Sequence, residues 1–409
     1  MEFQPILAAM SRNKIGAVLI GVQIAITLAI LVNGLFIIQQ RVALSHRATG
    51  LDEPNVFTIR NQWVGNPTNM EAKLRTDLSV LRSLPGVIDA TASNSAPLSN
   101  GGSSEGVNLD PDQQQATALT AVYFMDDHAL NALGVKLIAG RNFTPDEVTP
   151  KIGFDDRHPP SAIIMSKALA DKVFPAGDAL GKSVYLAFQK TRVPIVGIVD
   201  RLQVPWTGVD DWGSKFNDNA TLEPFQFESP LVHYVVRTKP GQIVNVMKAA
   251  EKALLATDRL RILEQIQTQS ESRLEAYRDD HGLVVILGIV CAALIAVTAF
   301  GIVGLTSYWV AQRRRQIGIR RALGATKNAI VRYFQTENLM IAVAGALAGV
   351  ALALVVNVWM MNSFAAQRLN VAYVLVGAVL VLLLGQAAVL WPALKAASIP
   401  PALATRGSM

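Results

Sequence analysis

Four uninterrupted apolar runs decide most of what this chain can fold into. They lie at 15–38, 282–310, 339–361 and 371–391, and none holds an Asp, Glu, Lys or Arg. About 20 such residues cross the hydrocarbon core as a helix. One charge at the bilayer centre costs roughly 2.5–3.5 kcal/mol on insertion scales, so the runs point to four transmembrane helices. The first run is too long for the apolar segment of a secretory signal, and no small-residue cleavage site follows at Phe36 to Arg41. It reads as a retained anchor.

Charge sorts the segments between the runs. Residues 39–281 carry 25 basic and 29 acidic side chains; the rest of the 409-residue chain carries 12 basic and two acidic, Glu2 and Glu337. The basic residues outside the middle flank apolar runs, which is the pattern of membrane topology and not of nucleic-acid binding. Arg313, Arg314, Arg315, Arg320, Arg321, Lys327 and Arg332 assign 311–338 to the cytoplasm. Arg12 and Lys14 assign segment 1–14 to the same side, and Lys395 and Arg406 do so for the tail, 392–409. The acidic region 39–281 and the short link 362–370, with Arg368 alone, then face outside. The expected topology is N-in and C-in.

Within the runs, Gly345 and Gly349 form a small-xxx-small pair suited to close helix packing. Cys291, the single cysteine, excludes an intramolecular disulfide and reads as a small packing residue. Pro392 and the Pro400–Pro401 pair are expected to end the last helix.

The outside region mixes both regular structures. Strand-like runs occur at 56–60, 118–124, 162–165, 193–199 and 231–237, and helix-like runs at 69–84, 167–173 and 244–257. The fold class expected is an α-helical membrane protein with four spans plus a mixed α/β (α+β) extracytoplasmic domain on a helical stalk. Gly- and Pro-rich breaks at 94–111, 149–160 and 205–219 set off an inserted subdomain at about 105–218. Leu260, Leu263, Ile266 and Leu274 give 260–277 a helical spacing that would feed the second span. Residues 39–48 would extend the first span beside it, completing the stalk.

Chemistry-bearing patterns are sparse. His46, His128, His158, His233 and His281 are scattered without metal-ligand spacing. Asp126-Asp127-His128 and Asp155-Asp156-Arg157-His158 read as loops or helix caps. Gly177-Asp178-Ala179-Leu180-Gly181-Lys182-Ser183 imitates a phosphate loop but has three residues between its glycines where four are required. A membrane-anchored enzyme therefore lacks a catalytic constellation, and no cofactor or metal is expected on this chain.

The most informative stretch runs from Gln312 to Asn338. Ile317, Ile319, Ala322 and Leu323 supply an apolar side to a helix-forming segment, and arginines cover the rest. Gly324-Ala325-Thr326 can break that helix and cap the next. The same composition suits an amphipathic helix on anionic lipid and a docking helix for a cytosolic partner.

This stretch resembles the pattern R-R-x-E-I-G-x-R-x-A-L-G-A of MacB/FtsX-type ABC transporter permeases, with Gln316 where the family usually has Glu. Gly140-Arg141-Asn142-Phe143, Ala162 to Ala170, Leu180-Gly181-Lys182 and Ile195 to Asp200 resemble recurrent motifs of the MacB-like periplasmic core, and Pro392 to Leu403 resembles the family's closing motif. The resemblance covers nearly the whole chain in order. It implies a bacterial inner-membrane permease that is itself not an enzyme, with ATP and Mg held by a separate cytosolic ABC ATPase. It implies pairing with a second permease subunit, as a homodimer or heterodimer. The site residues it implies for ATPase coupling are Arg314, Arg315, Gln316, Ile317, Gly318, Arg320, Arg321, Ala322, Leu323, Gly324, Ala325 and Thr326. The role it implies is mechanotransmission in export of a peptide, antibiotic, siderophore or lipoprotein, with a periplasmic membrane-fusion protein and an outer-membrane channel as further partners. The alternative is an FtsX-like or sensor-type regulator of a periplasmic partner, though FtsX proper has a much smaller outside domain.

Overall fold

The structure, a computed structural model, describes residues 14–65, 68–187, 189–208, 211–216, 218–364 and 368–398. Arg12, Arg406 and the Pro400–Pro401 pair lie outside the described residues. The chain forms two compact units, one of residues 1–42 with 280–409 and the other of residues 43–279.

The first helix, α1 (Lys14–Ser45), continues past its apolar run without a break. The 43–279 unit then builds β1 (Val56–Trp63), α2 (Met70–Ser83), β2 (Val87–Ser93), β3 (Ser103–Asn108) and β4 (Ala118–Met125). Next come α3 (Ala129–Leu133), β5 (Leu137–Gly140), β6 (Thr149–Ile152), β7 (Ile163–Ser166), α4 (Lys167–Val173), β8 (Ser183–Leu186) and β9 (Val193–Val199). It closes with α5 (Asp211–Ser214), β10 (Ala220–Glu228), β11 (Leu231–Thr238), α6 (Ile243–Thr257), β12 (Arg261–Thr268) and α7 (Gln269–Ala276).

These strands make two sheets. Strands from both ends of the unit form a four-stranded antiparallel sheet, β12-β1-β11-β2, with α2 and α6 supplying apolar residues to its core. Strands β3 to β10 form the other, and there the order β4-β3-β8-β9-β7-β10 closes because β10 also pairs with β4. Closure removes two open edges. One core of this sheet gathers Ile163, Met165, Val184, Val193 and Ile195 around Leu169 and Val173 of α4.

The segment expected to be helical at 260–277 is half strand, which corrects the sequence reading. Arg261–Thr268 pairs with β1, and only Gln269–Ala276 is helical. The register jumps between Thr58 and Arg60, opposite Gln265, whose φ is +47°. The extra residue lets Leu263 and Ile266, three apart, both reach the same core. A bulge thus reproduces the spacing of a helix turn. A buried ion pair fixes the strand: Arg261 donates to both oxygens of Asp77 on α2, at 2.6 and 3.0 Å. Tyr234 and Thr257 donate to the same carboxylate at 2.6 and 3.0 Å.

The remaining helices are α8 (Arg278–Gln312), α9 (Arg314–Ala322), α10 (Lys327–Phe364) and α11 (Val371–Ala397). Four of the helices, α1, α8, α10 and α11, are long and apolar enough to cross a membrane. The last helix does not stop at Pro392, as expected above, but runs through it to Ala397. Proline removes one backbone donor, and packing of the buried Pro392, Ala393, Ala396 and Ala397 holds the turn together.

One histidine and a carboxyl pair give the 43–279 unit opposite pH responses. Burial, with Arg60 nearby, pushes His233 on β11 down to about 4 from 6.5. An unfolded chain protonates this imidazole first, so stability present above pH 6.5 is lost as pH falls towards 4. The interval corresponds to roughly 3 kcal/mol. Glu105 and Glu223, on strands flanking β4, are raised chiefly by burial and, for Glu105, by the second carboxyl, while Lys151 opposes. Their contribution is present at acid pH and is lost as pH rises.

Asp77→Ala strands the Arg261 charge in the core and should cost about 3–5 kcal/mol, read as a lower unfolding temperature of the full chain in lipid nanodiscs. In the same assay His233→Gln should flatten the fall in stability between pH 7 and pH 4.5. An unchanged slope would remove His233 from that role.

Candidate functional site

The basic turn between α8 and α10 is built stiffly from local rules. Helix α9 ends in paired bonds, Ala325 N to Arg320 O at 3.0 Å and Gly324 N to Arg321 O at 3.2 Å. This is a Schellman closure, and it places Gly324 at φ +98°, where a side chain is strained. Thr326 Oγ1 then accepts from Ala329 N at 3.2 Å and caps α10.

Three longer-range contacts tie this turn to its neighbours. Arg313, the residue between α8 and α9, donates from one nitrogen to both oxygens of Glu337 at 3.0 and 2.8 Å. Glu337 is 2% exposed. Arg321 donates to the carbonyl of Ala397, the last residue of α11, at 2.9 Å. A cation at a helix C-terminus is favoured by the helix dipole. Arg320 lies over the Tyr333 ring at 5.0 Å.

The residues singled out from the sequence divide into two faces. Ile317 and Gly318 are buried, and Ile317 joins Ile330 and Phe334 in the helical core. Arg314, Arg315, Gln316, Arg320, Ala322, Gly324 and Thr326 are exposed, while Arg321 and Ala325 are partly buried. Leu323 is 83% exposed at the tip, an uncommon position for a leucine. A cavity of about 140 Å³ opens between Arg313, Gln316 and Arg320 on one wall and Ala329, Ile330 and Tyr333 on the other. The turn therefore offers an apolar knob and an apolar-floored hollow, both rimmed by cations.

Gly345 and Gly349 lie elsewhere, where α10 crosses α1. A methyl group at 345 would stand 2.7 Å from the Gly21 carbonyl oxygen, and one at 349 would stand 2.9 Å from that of Ala25. Sequence reasoning missed Glu337 and the Ala397 carbonyl as partners of the basic turn. The usable signal was that Glu337 is the one acidic residue outside 39–281 apart from Glu2. In the other unit, Asp126 accepts from Arg82 and Thr91 at 2.6 Å each and His128 faces Asp89 at 2.8 Å. Among the described residues no group of three or more His, Cys, Asp or Glu could hold a metal ion.

The described residues thus combine four helices of membrane-crossing length, an α/β unit between the first and second of them, and an exposed basic turn between the second and third. The MacB-like periplasmic core domain matches residues 15–254, and the FtsX-like permease C-terminal domain matches 288–401. The chain belongs to this MacB/FtsX-type permease family. The pyoverdine export ATP-binding/permease protein PvdT of Pseudomonas syringae pv. tomato is 26% identical over 249 residues, 59% of this chain and 36% of that protein. PvdT of Pseudomonas fluorescens Pf-5 is 35% identical over 127 residues, 31% of this chain and 19% of that one. The macrolide export ATP-binding/permease protein MacB of Chromobacterium violaceum is 25% identical over 229 residues, 54% and 32%. The matched region thus spans about a third or less of these relatives. Among solved structures, the periplasmic region of MacB from Actinobacillus actinomycetemcomitans aligns with 56% of this chain and 96% of that one, at 14% identity and a TM-score of 0.33.

Glu337→Gln removes the charge that Arg313 is bonded to. Local opening of the turn should then speed tryptic cleavage at Arg314 and Arg315 by ~10-fold, equivalent to ~1.4 kcal/mol of local stability. An unchanged cleavage rate would show that the Schellman turn alone holds the segment.

Proposed function

We propose that this chain is a membrane-embedded permease that relays ATP-driven motion of a cytosolic ABC ATPase, carried on a separate polypeptide, to its periplasmic core domain during export. The observation that carries the reading is the turn at 313–326: its backbone is fixed from three directions, yet Leu323 and a rim of arginines project outward. An exposed apolar tip beside arginines suits a cleft with an apolar floor and acidic walls. Arginine is enriched among the few residues that dominate binding energy at an interface.

In this reading the basic ends of the helices lie in the bacterial cytoplasm and residues 43–279 in the periplasm, as the distribution of Lys and Arg favours. ATP and Mg are held by the partner, and a second permease subunit completes the transporter. Relatives named for pyoverdine and macrolide export favour a siderophore or antibiotic over a lipoprotein as cargo. A periplasmic membrane-fusion protein and an outer-membrane channel would carry that cargo onward.

The test is capture of the ATPase by the tagged protein in mild detergent. Leu323→Asp and the double variant Arg320→Glu with Arg321→Glu should each weaken capture by about 100-fold, since mismatched charges at an interface cost several kcal/mol, and Gly324→Trp should do the same by straining the backbone at φ +98°. ATP turnover by the assembled complex should fall in parallel. Undiminished assembly and turnover in all three variants would remove the turn from ATPase docking.

A further inference from the structure

The end of α1 is gripped from the side by a single arginine. Arg273 on α7 donates from one nitrogen to the carbonyl oxygens of Ser45 and Arg47, both at 2.8 Å. Its other terminal nitrogen donates to Glu53 at 2.5 Å, and Glu53 also accepts from Thr49 at 2.6 Å. Ser45 is the last residue of α1, so Arg273 neutralises the partial negative charge of that helix end. Arg273 also lies four residues before Tyr277, where α7 passes into α8. One side chain therefore joins the two chain segments that continue from the first and second apolar helices.

The segment just beyond α1 is bonded to β11 and to the loops that flank β9 and β10. Arg47 pairs with Asp218, which precedes β10, at 3.2 Å and donates to Gln203, which follows β9, at 3.2 Å. Gln203 N donates back to Thr49 O at 2.8 Å. Asp52 pairs with Arg237 of β11 at 2.8 Å. Gly50, at φ +84°, fits so closely against Arg201 that a methyl group there would meet the Arg201 carbonyl oxygen at 2.1 Å. Residues 45–53 have bonded partners on α7, on the segments that flank β9 and β10 of the closed sheet, and on β11 of the four-stranded sheet. Such a segment cannot follow a displacement of α1 without moving all of them or breaking several charged bonds.

We infer that Arg273 is the positioning residue of a transmission joint, which locks the end of α1 to α7 so that a shift of either helix is delivered to both sheets. The inference rests on the proposed relay function for its purpose, but the lock itself is a property of this chain alone. A guanidinium suits the task because its planar fork reaches two carbonyls and a carboxylate together. Lysine keeps the charge and cannot hold all three.

The test uses the full chain in lipid nanodiscs. Hydrogen exchange of the amides in 44–53 should rise about tenfold in Arg273→Gln and by less in Arg273→Lys, with α6 and β10 unchanged. Unchanged exchange at 44–53 would overturn the lock, and an equal rise throughout 43–279 would reduce Arg273 to a general stabiliser. The complex with its ATPase supplies a second readout, through a fluorescent label at Leu109→Cys, an exposed site. With ATP, Arg273→Gln should lose the label's response while ATP hydrolysis stays within about twofold of the unsubstituted complex. A retained response would overturn transmission through Arg273. Absence of any ATP response in the unsubstituted complex would count against the proposed relay, and the exchange measurement would still decide the lock.

Discussion

A helix surrounded by hydrocarbon must satisfy every backbone polar group within itself, and its polar side chains must find partners on neighbouring helices. Several polar side chains of the helical unit meet the second condition. Gln23 donates to the Val297 carbonyl at 3.0 Å, and Thr27 shares a hydrogen bond with Thr298 at 2.8 Å. Asn33 bonds the Ala353 carbonyl at 3.2 Å, and Asn338 that of Gly385 at 3.0 Å. The Asn33 bond needs α1 and α10 close together, which glycine permits at Gly345 and Gly349. Small residues and amides thus work as one device, the first allowing approach and the second fixing it. Pro392 is tolerated on the same principle, because neighbouring packing holds a turn that lacks one donor.

The apolar runs and their flanking charges were legible because each is a local property of about 20 residues. Strands β1, β4, β9 and β11 and helices α2, α4 and α6 were legible for the same reason: their periods persist over their whole length. The strand at 261–268 was not. Its apolar residues stand three apart because a bulge at Gln265 skips one position, and period alone cannot distinguish that from a helix turn. The pairing partner that settles it, β1, lies some 200 residues earlier in the chain. Arg261 looks like any surface arginine until Asp77, 184 residues away, is found beneath it.

The same limit divides the candidate site. Gly324 and Thr326 announced a helix stop and a new cap, since those roles depend on residues within one turn. Glu337 and the Ala397 carbonyl lie 24 and 76 residues from the arginines that they hold, and no short-range pattern links them. Arg273 is more extreme, because its partners are backbone carbonyls 228 and 226 residues away. A backbone oxygen leaves no mark on residue type, so such a clamp is visible only once the fold is known.

Stiffness at both ends is what a relay of motion requires. Binding at a floppy turn would spend interaction energy on ordering it, and the force would be absorbed locally. The 313–326 turn is instead already ordered by its Schellman closure, by the Arg313–Glu337 pair and by the Arg321 bond to α11. A push on Leu323 therefore reaches α8, α10 and α11 together. At the other end, the bonds around Arg47 and Arg273 are charge-assisted and multiple, so residues 45–53 respond as a unit rather than one bond at a time. In the proposed function this arrangement lets work done at a cytoplasmic turn appear in a domain that the nucleotide never reaches.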